Sequence, residues 1–300
     1  MILVTGGTGV MGSVLVKRLY EEGHKVCVLS LPDDPNVSAI KDYVHDIRYG
    51  DISVKSDMEN VCDGIDLVYH LAAVVVSHDE SLFNKINIEG TRNLVDAAQK
   101  AKVEHFIYIS SASVIYPKSS AYSRSKQVCE KVVAFSSIPF TIIRPTLVYD
   151  VNKGGQEFDM FVSYLKNAPV IPFVGSGNVL KRPVFVEDII NGLLTIKYNE
   201  TTFRKFYNFS GGEEITLKDF AKLCLGLMGK SYKPIIPLPV WFCVFLASVL
   251  KRIMKKPPLT WQIITGMTQD ANLDPLISKR DLGYTPVKVT EKMPECFPRF

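Results

Sequence analysis

The 300 residues hold little tryptophan (2), histidine (5) or cysteine (6), and each shortage excludes something. Cys27, Cys62, Cys129, Cys224, Cys243 and Cys296 form no CxxC pair, and no histidine spacing completes a zinc site, so no metal site is expected. Scattered single thiols suit a reduced, cytoplasmic protein better than a disulfide scaffold. An excess of one charge is also lacking. Its 35 basic and 31 acidic residues leave a formal net charge of +4, too balanced for a nucleic-acid surface. No apolar run reaches the roughly 20 residues that a membrane-spanning helix requires. No basic leader with a cleavage site precedes the first apolar run, so no signal peptide is expected. No internal repeat and no low-complexity tract is visible.

What is present is a large apolar fraction, 47% of the chain, enough for a sizeable core. Short apolar runs at residues 2–5, 26–29, 44–49, 67–71, 106–109 and 140–143 predict strands. Helical periodicity between them predicts helices over 11–22, 84–101 and 122–135, the first closed by Gly23. Alternating strands and helices imply a parallel sheet covered on both faces, and right-handed crossovers make it doubly wound. The expected fold class is therefore α/β, with a Rossmann domain over residues 1–149. Beyond Tyr149, breakers at Gly154, Gly155, Pro169, Pro172, Gly175 and Gly177 interrupt the pattern. Helices expected over 186–198, 217–228 and 240–254, with a strand over 206–209, describe a smaller, mostly helical substrate lobe over 150–300. Its elements at about 184–210 return to the first domain.

The first strand runs through Thr5-Gly6-Gly7-Thr8-Gly9-Val10-Met11-Gly12 into a helix. Gly6, Gly9 and Gly12 permit the tight turn, the close approach of backbone to a pyrophosphate and the packing of helix on sheet. The free N–H groups at the helix N-terminus, around Val10 and Met11, then hold the anion. A lone glycine triplet is a weak signal, but here it stands between a strand and a helix.

This TGxxGxxG segment resembles the extended short-chain dehydrogenases/reductases of the NAD-dependent epimerase/dehydratase family, and the resemblance continues to Tyr149. It implies that Asp51 and Ile52, after the third strand, contact adenine, and that Leu71, Ala72 and Ala73 pass beneath the cofactor. It makes Asn87 the helix asparagine near the active site, where substrate binds. It also implies that Pro145, in Arg144-Pro145-Thr146, lies against the nicotinamide. The residue after the second strand that usually separates NAD from NADP is missing, since Ser30, Leu31 and Pro32 stand there. Asp33 and Asp34 follow shortly and would repel a 2′-phosphate, which favours NAD and leaves NADP open.

Tyr122 and Lys126 form a YxxxK motif, and positions i and i+4 of a helix share one face. A tyrosine with a pKa of about 10 is a poor base at neutral pH, and a nearby ammonium is expected to lower it. The resemblance adds that Lys126 bonds the nicotinamide ribose. It also makes the second hydroxyl residue after the fifth strand, Ser111, the partner that holds the reacting oxygen. Ser110 and Ser113 are the alternatives. Only residues 112–121 separate Ser111 from Tyr122, a shorter loop than extended members carry. It is similar to the atypical branch, which includes an accessory subunit of respiratory complex I.

In the lobe, Lys181-Arg182-Pro183 resembles an epimerase segment whose arginine grips the substrate diphosphate. The bland alternative pairs Arg182 with Glu187 or Asp188. Ala112-Ser113 stands where sugar-nucleotide dehydratases carry Asp-Glu, so dehydration is not expected. Residues 240–250 are almost wholly apolar and precede Lys251, Arg252, Lys255 and Lys256. They read either as a buried helix or as a peripheral membrane contact over 240–256.

Three functions compete. The first is an epimerase of a nucleotide- or polyprenyl-diphosphate-linked sugar, working by transient oxidation at C4. The second is a dehydrogenase or reductase of a hydrophobic alcohol or ketone, similar to 3β-hydroxysteroid dehydrogenases. The third is a non-catalytic assembly subunit stabilised by cofactor. The partners expected are a small-molecule substrate and, by resemblance, a second copy packed through helices 84–101 and 122–135. The place expected is the cytoplasm, with the option of a membrane surface.

Overall fold

The computed structural model describes residues 1–150 and 155–297, so Gly154 lies outside the described residues. The elements of the first half are β1 (Ile2–Thr5), α1 (Val10–Glu21), β2 (Val26–Ser30), β3 (Asp46–Tyr49), β4 (Leu67–His70), α2 (Gly90–Lys100), β5 (His105–Ile109), α3 (Ala121–Ala134) and β6 (Phe140–Pro145). The second half adds β7 (Val148–Tyr149), α4 (Gln156–Asn167), β8 (Ile171–Val174), β9 (Leu180–Lys181), β10 (Val184–Phe185), α5 (Val186–Ile196) and β11 (Lys205–Phe209). It continues with β12 (Ile215–Thr216), α6 (Leu217–Leu227), β13 (Ile235–Leu238), α7 (Val240–Ile253), α8 (Trp261–Thr268), α9 (Leu276–Leu282) and α10 (Val289–Lys292).

Seven strands pair in the order β11-β6-β5-β4-β1-β2-β3, all parallel. Successive side chains of a strand point to opposite faces, so each strand feeds two cores. Ile2, Val4, Val28, Tyr69 and Ile107 enter the core that includes Leu15 of α1 and Ile189 of α5. Leu3, Cys27, Val68, Phe106 and Ile142 enter the core with Leu94 of α2 and Cys129 of α3. Each side chain so removed from water contributes about 1.5–3 kcal/mol. Covering both faces is what makes these strands continuous apolar runs instead of alternating ones. The strand order reverses between β1 and β4, and the crevice at their C-terminal ends is where doubly wound sheets bind ligands.

Two expected helices take a different form. The helix expected over 84–101 opens as a π turn, Phe83–Glu89, before α2, and the Asn87 carbonyl there accepts the Cys129 thiol at 3.2 Å. The helix over 240–254 forms as α7 but is not buried, since Cys243 is its one buried residue. The lobe is helical, with short pairs β8–β13, β9–β12 and β7–β10 around its helices. No helix among the described residues is long and apolar enough to cross a membrane.

Candidate active site

β1 ends at Thr5, and Gly6 turns the chain at φ +69, where a Cβ would lie 2.8 Å from the Ala72 nitrogen. A Cβ on Gly12 would lie 2.0 Å from the Gly6 carbonyl oxygen, so only glycine lets α1 start this close to the sheet. Gly9 is the N-cap of α1, and no side chain caps that end. The first N–H groups of α1, at Val10 and Met11, are thus left for an anion. At the end of β2, the Asp34 carboxylate accepts from the Asn36 backbone at 2.9 Å and lies 3.5 Å from Ser30 Oγ. Burial pushes its carboxyl up, but hydrogen bonds from Thr8, Asn36 and Ser30 outweigh this and hold it below the usual range. The contact with Thr8 sets this acid beside the glycine loop.

The chain after β4 is fixed from beneath. Leu71 N–H donates to the Thr5 carbonyl at 3.1 Å and Ala72 N–H to the Thr5 hydroxyl at 3.2 Å. His70 is buried between Thr5 and Thr91, with Nδ1 2.7 Å and Nε2 2.9 Å from their hydroxyls. Burial first, and then Lys126, lower its pKa to about 3, so it stays neutral. The Asp51 carboxylate holds its own turn by accepting from the Ser53 N–H and hydroxyl at 2.9 and 2.8 Å. Ile52 is buried and packs where a Cβ on Gly90 would meet it at 2.8 Å.

α3 begins at a capping box between Ser120 and Ser123, which sets the phase that turns Tyr122 and Lys126 inward. Both are buried, Tyr122 at 7% and Lys126 at 3% exposure. Lys126 Nζ donates to the Ile109 carbonyl at 2.7 Å, at the end of β5, and lies 4.7 Å over the Tyr108 ring. Burial lowers its pKa to about 8. Of the three candidate serines, Ser111 is the one whose hydroxyl acts on the Tyr122 phenol, drawing its pKa down. Ser113 bonds Ser111 at 3.0 Å, and the Ser110 hydroxyl is buried without a partner.

The expected lowering of the Tyr122 pKa does not appear. Burial raises it most, the Glu157 carboxylate raises it further, and the Ser111 bond offsets only part. The reason is geometric, because the Lys126 ammonium is turned onto Ile109.

The two expected substrate residues both have protein partners. Asn87 is 2% exposed, and its amide is engaged by Val74 N–H (2.8 Å), the Val74 carbonyl (3.0 Å) and Ser125 Oγ (3.0 Å). It therefore ties the loop after β4 to α3. Arg182 pairs with neither Glu187 nor Asp188. Its Nε and Nη2 donate to one oxygen of Glu214 at 3.3 and 3.1 Å. Glu187 instead pairs with Arg18, and Asp188 accepts the Val287 N–H. Pro145 ends β6, preceded by Arg144, whose guanidinium takes a two-pronged hold on Glu130 at 2.9 and 2.6 Å.

Apart from Lys181, the roof of the site carries residues that no motif marks. Trp261 of α8 donates to the Ser119 carbonyl at 3.1 Å. Gln262 donates to the Val75 carbonyl at 2.8 Å. Gln269 bonds the Lys118 N–H at 2.6 Å and carbonyl at 2.8 Å, so α8 supports the short loop that the sequence leaves before Tyr122. Lys181 is buried and ends α8 by donating to the Gly266 and Gln269 carbonyls at 2.8 and 2.6 Å. Solvent reaches Glu157, yet protein crowds it. Burial is the largest effect and holds its carboxyl above the usual range, against Lys181 and a hydrogen bond from Gln262. These residues come from β9, α4 and α8, too far apart in sequence for a spacing to signal them.

Residues 2–208 match the NAD dependent epimerase/dehydratase family model. The chain belongs to that family. It is 26% identical to a 3-beta-hydroxysteroid dehydrogenase of Mycolicibacterium neoaurum, covering 100% of this chain and 91% of the relative. It is 25% identical to the human decarboxylating sterol-4-alpha-carboxylate 3-dehydrogenase, over 79% of this chain and 69% of that protein. The fold is similar to UDP-glucose 4-epimerase of Thermotoga maritima, solved with UDP-glucose. That TM-score is 0.76 at 21% identity, covering 99% and 97% of the two chains.

This epimerase/dehydratase-family enzyme is NAD-dependent, and the residues present fit the cofactor. The cradle at Gly6, Gly9 and Gly12 is one that side chains would fill, and an uncapped helix N-terminus faces it. Val10 and Met11 would hold the pyrophosphate and Asp34 the adenosine ribose.

Proposed function

We propose that this enzyme interconverts a secondary alcohol and a ketone on a hydrophobic or lipid-anchored molecule, with net oxidation or reduction. NAD, when bound, supplies the hydride exchange. Tyr122 takes the hydroxyl proton, Ser111 holds the reacting oxygen, and Lys126 holds the nicotinamide ribose and lowers the Tyr122 pKa once turned toward it. The guanidinium of Arg182 is joined to Glu214. The steroid- and sterol-acting proteins to which the chain is similar support the hydrophobic substrate class. Asp34 favours NAD over NADP, since a carboxylate beside a 2′-phosphate repels it.

A second reading, epimerisation of a diphosphate-linked sugar, is favoured by one feature. Arg182 holds a single oxygen of a partly exposed carboxylate, which a diphosphate can replace. Gentle purification, denaturation and identification of the released nucleotide separates the two. Readily exchanged cofactor supports net redox. Near-stoichiometric retained NAD(H), together with loss of turnover in Arg182→Ala, supports the epimerase. A homodimer is proposed on α3, where Phe135 is 88% exposed near Ile115 and Phe206. Light scattering of Phe135→Glu against the parent protein tests it.

A further inference from the structure

The chemistry proposed above does not use α7, yet α7 is the element least suited to water. It carries two apolar stripes. Val240, Cys243, Val244 and Ala247 face inward onto Ile264 and Met267 of α8. Trp241, Phe245, Val249 and Ile253, at i+4 spacing, are 73%, 63%, 37% and 72% exposed. A helix apolar all round belongs in a core or in lipid, and its 14 residues are too few to span a bilayer. No acidic residue occurs on it, and its C-terminal end leads to exposed Lys251, Arg252, Lys255 and Lys256. Lys251 ties that end to Glu80 at 3.2 Å.

We infer that α7 lies in the interface of an anionic bilayer, with the Trp241–Ile253 stripe among the acyl chains and the basic end on the headgroups. Anionic headgroups complement these cations, which a second copy of a chain of net charge +4 does not. The docked helix holds the cleft at the membrane surface, because α8 packs on its inner stripe and reaches Val75, Ser119 and Glu157. This rests on the reading of a hydrophobic or lipid-anchored substrate and supplies the route by which it arrives.

The test uses the whole protein with NAD and vesicles of phosphatidylcholine, alone or mixed with phosphatidylglycerol, at about 0.1 M salt. Binding to the mixed vesicles is expected at least about 25-fold tighter than to phosphatidylcholine. Trp241→Ser with Phe245→Ser is expected to lose about tenfold or more. Lys255→Gln with Lys256→Gln is expected to lose about 25-fold, at about fivefold per charge. Circular dichroism and NAD retention confirm that each variant is folded. The chain has two tryptophans, so acyl-brominated lipid should quench Trp261→Phe strongly and Trp241→Phe weakly. Absence of vesicle binding, or equal binding by the Trp241/Phe245 variant, overturns the inference. So does self-association on dilution series that the same variant abolishes. No substrate enters the assay, so its failure leaves the NAD chemistry standing. A wild-type protein that fails to bind NAD sinks that chemistry without touching the docking.

Discussion

The Rossmann half and the C-terminal lobe place their buried lysines differently. In the sheet half several buried polar groups are neutral and near the strand ends. His70 sits between Thr5 and Thr91, His105 meets Thr141, and Asn87 bridges Val74 and Ser125. In the lobe two are cationic and end helices. Lys181 caps α8, and Lys233 caps α4 by donating to the Leu165, Lys166 and Ala168 carbonyls at 3.0, 2.8 and 2.7 Å. A lysine at a helix C-terminus meets both free carbonyls and the negative end of the dipole. In the sheet half the buried Lys126 meets a strand end instead, the Ile109 carbonyl of β5 at 2.7 Å. The lobe has only short strand pairs and must anchor its helices from a distance. The candidate site lies where the two halves meet, with Tyr122 from the first and Gln269, which bonds the loop before it, from the second.

Four experiments break or sharpen this contrast, the largest effect first. Tyr122→Phe removes the proposed base and should cost about 10²–10⁴-fold in turnover while NAD binding persists. Steady-state kinetics and a nucleotide-binding assay check it, and unchanged turnover would remove Tyr122 from the chemistry. Lys181→Met frees two buried carbonyls at the end of α8 and should cost about 2–4 kcal/mol in denaturant unfolding. Hydrogen exchange should rise in α8 and not in β1 or β4. Equal loosening of both halves would contradict the division.

The third experiment concerns acid. Burial lowers the pKa of His70 to about 3 and that of His105 to about 4, both below the ordinary 6.5. The unfolded chain binds these protons first, so the stability they confer is complete above about pH 6.5 and falls as pH drops toward 4. His70→Gln should flatten that limb by up to about 1.4 kcal/mol per pH unit. An unchanged slope would mean that His70 is protonated in the folded state. The smallest effect is expected from Glu157→Gln. Removing a carboxylate that raises the Tyr122 pKa should move the acid limb of kcat/KM toward lower pH with little change in plateau. A shift toward higher pH would assign Glu157 a different role.

The sequence by itself determined the sheet and the glycine cradle, because both depend on neighbours in the chain. Apolar runs closed by turns, and glycines three apart between strand and helix, are local patterns with local causes. YxxxK was legible for the same reason, since one helix turn brings Tyr122 and Lys126 to one face. The short loop before Tyr122 was visible, but not what compensates for it.

Tertiary structure alone decided the rest. It seated α8 on that loop through Gln269 and Trp261, gave Arg182 to Glu214, and turned Asn87 onto the Val74 backbone. It brought Asp34 to Ser30, and it left the outer stripe of α7 uncovered where composition alone allowed a buried helix. Each of these is a pairing of polar or apolar groups far apart in the chain. A sequence records which groups need a partner; only packing decides which partner each one meets.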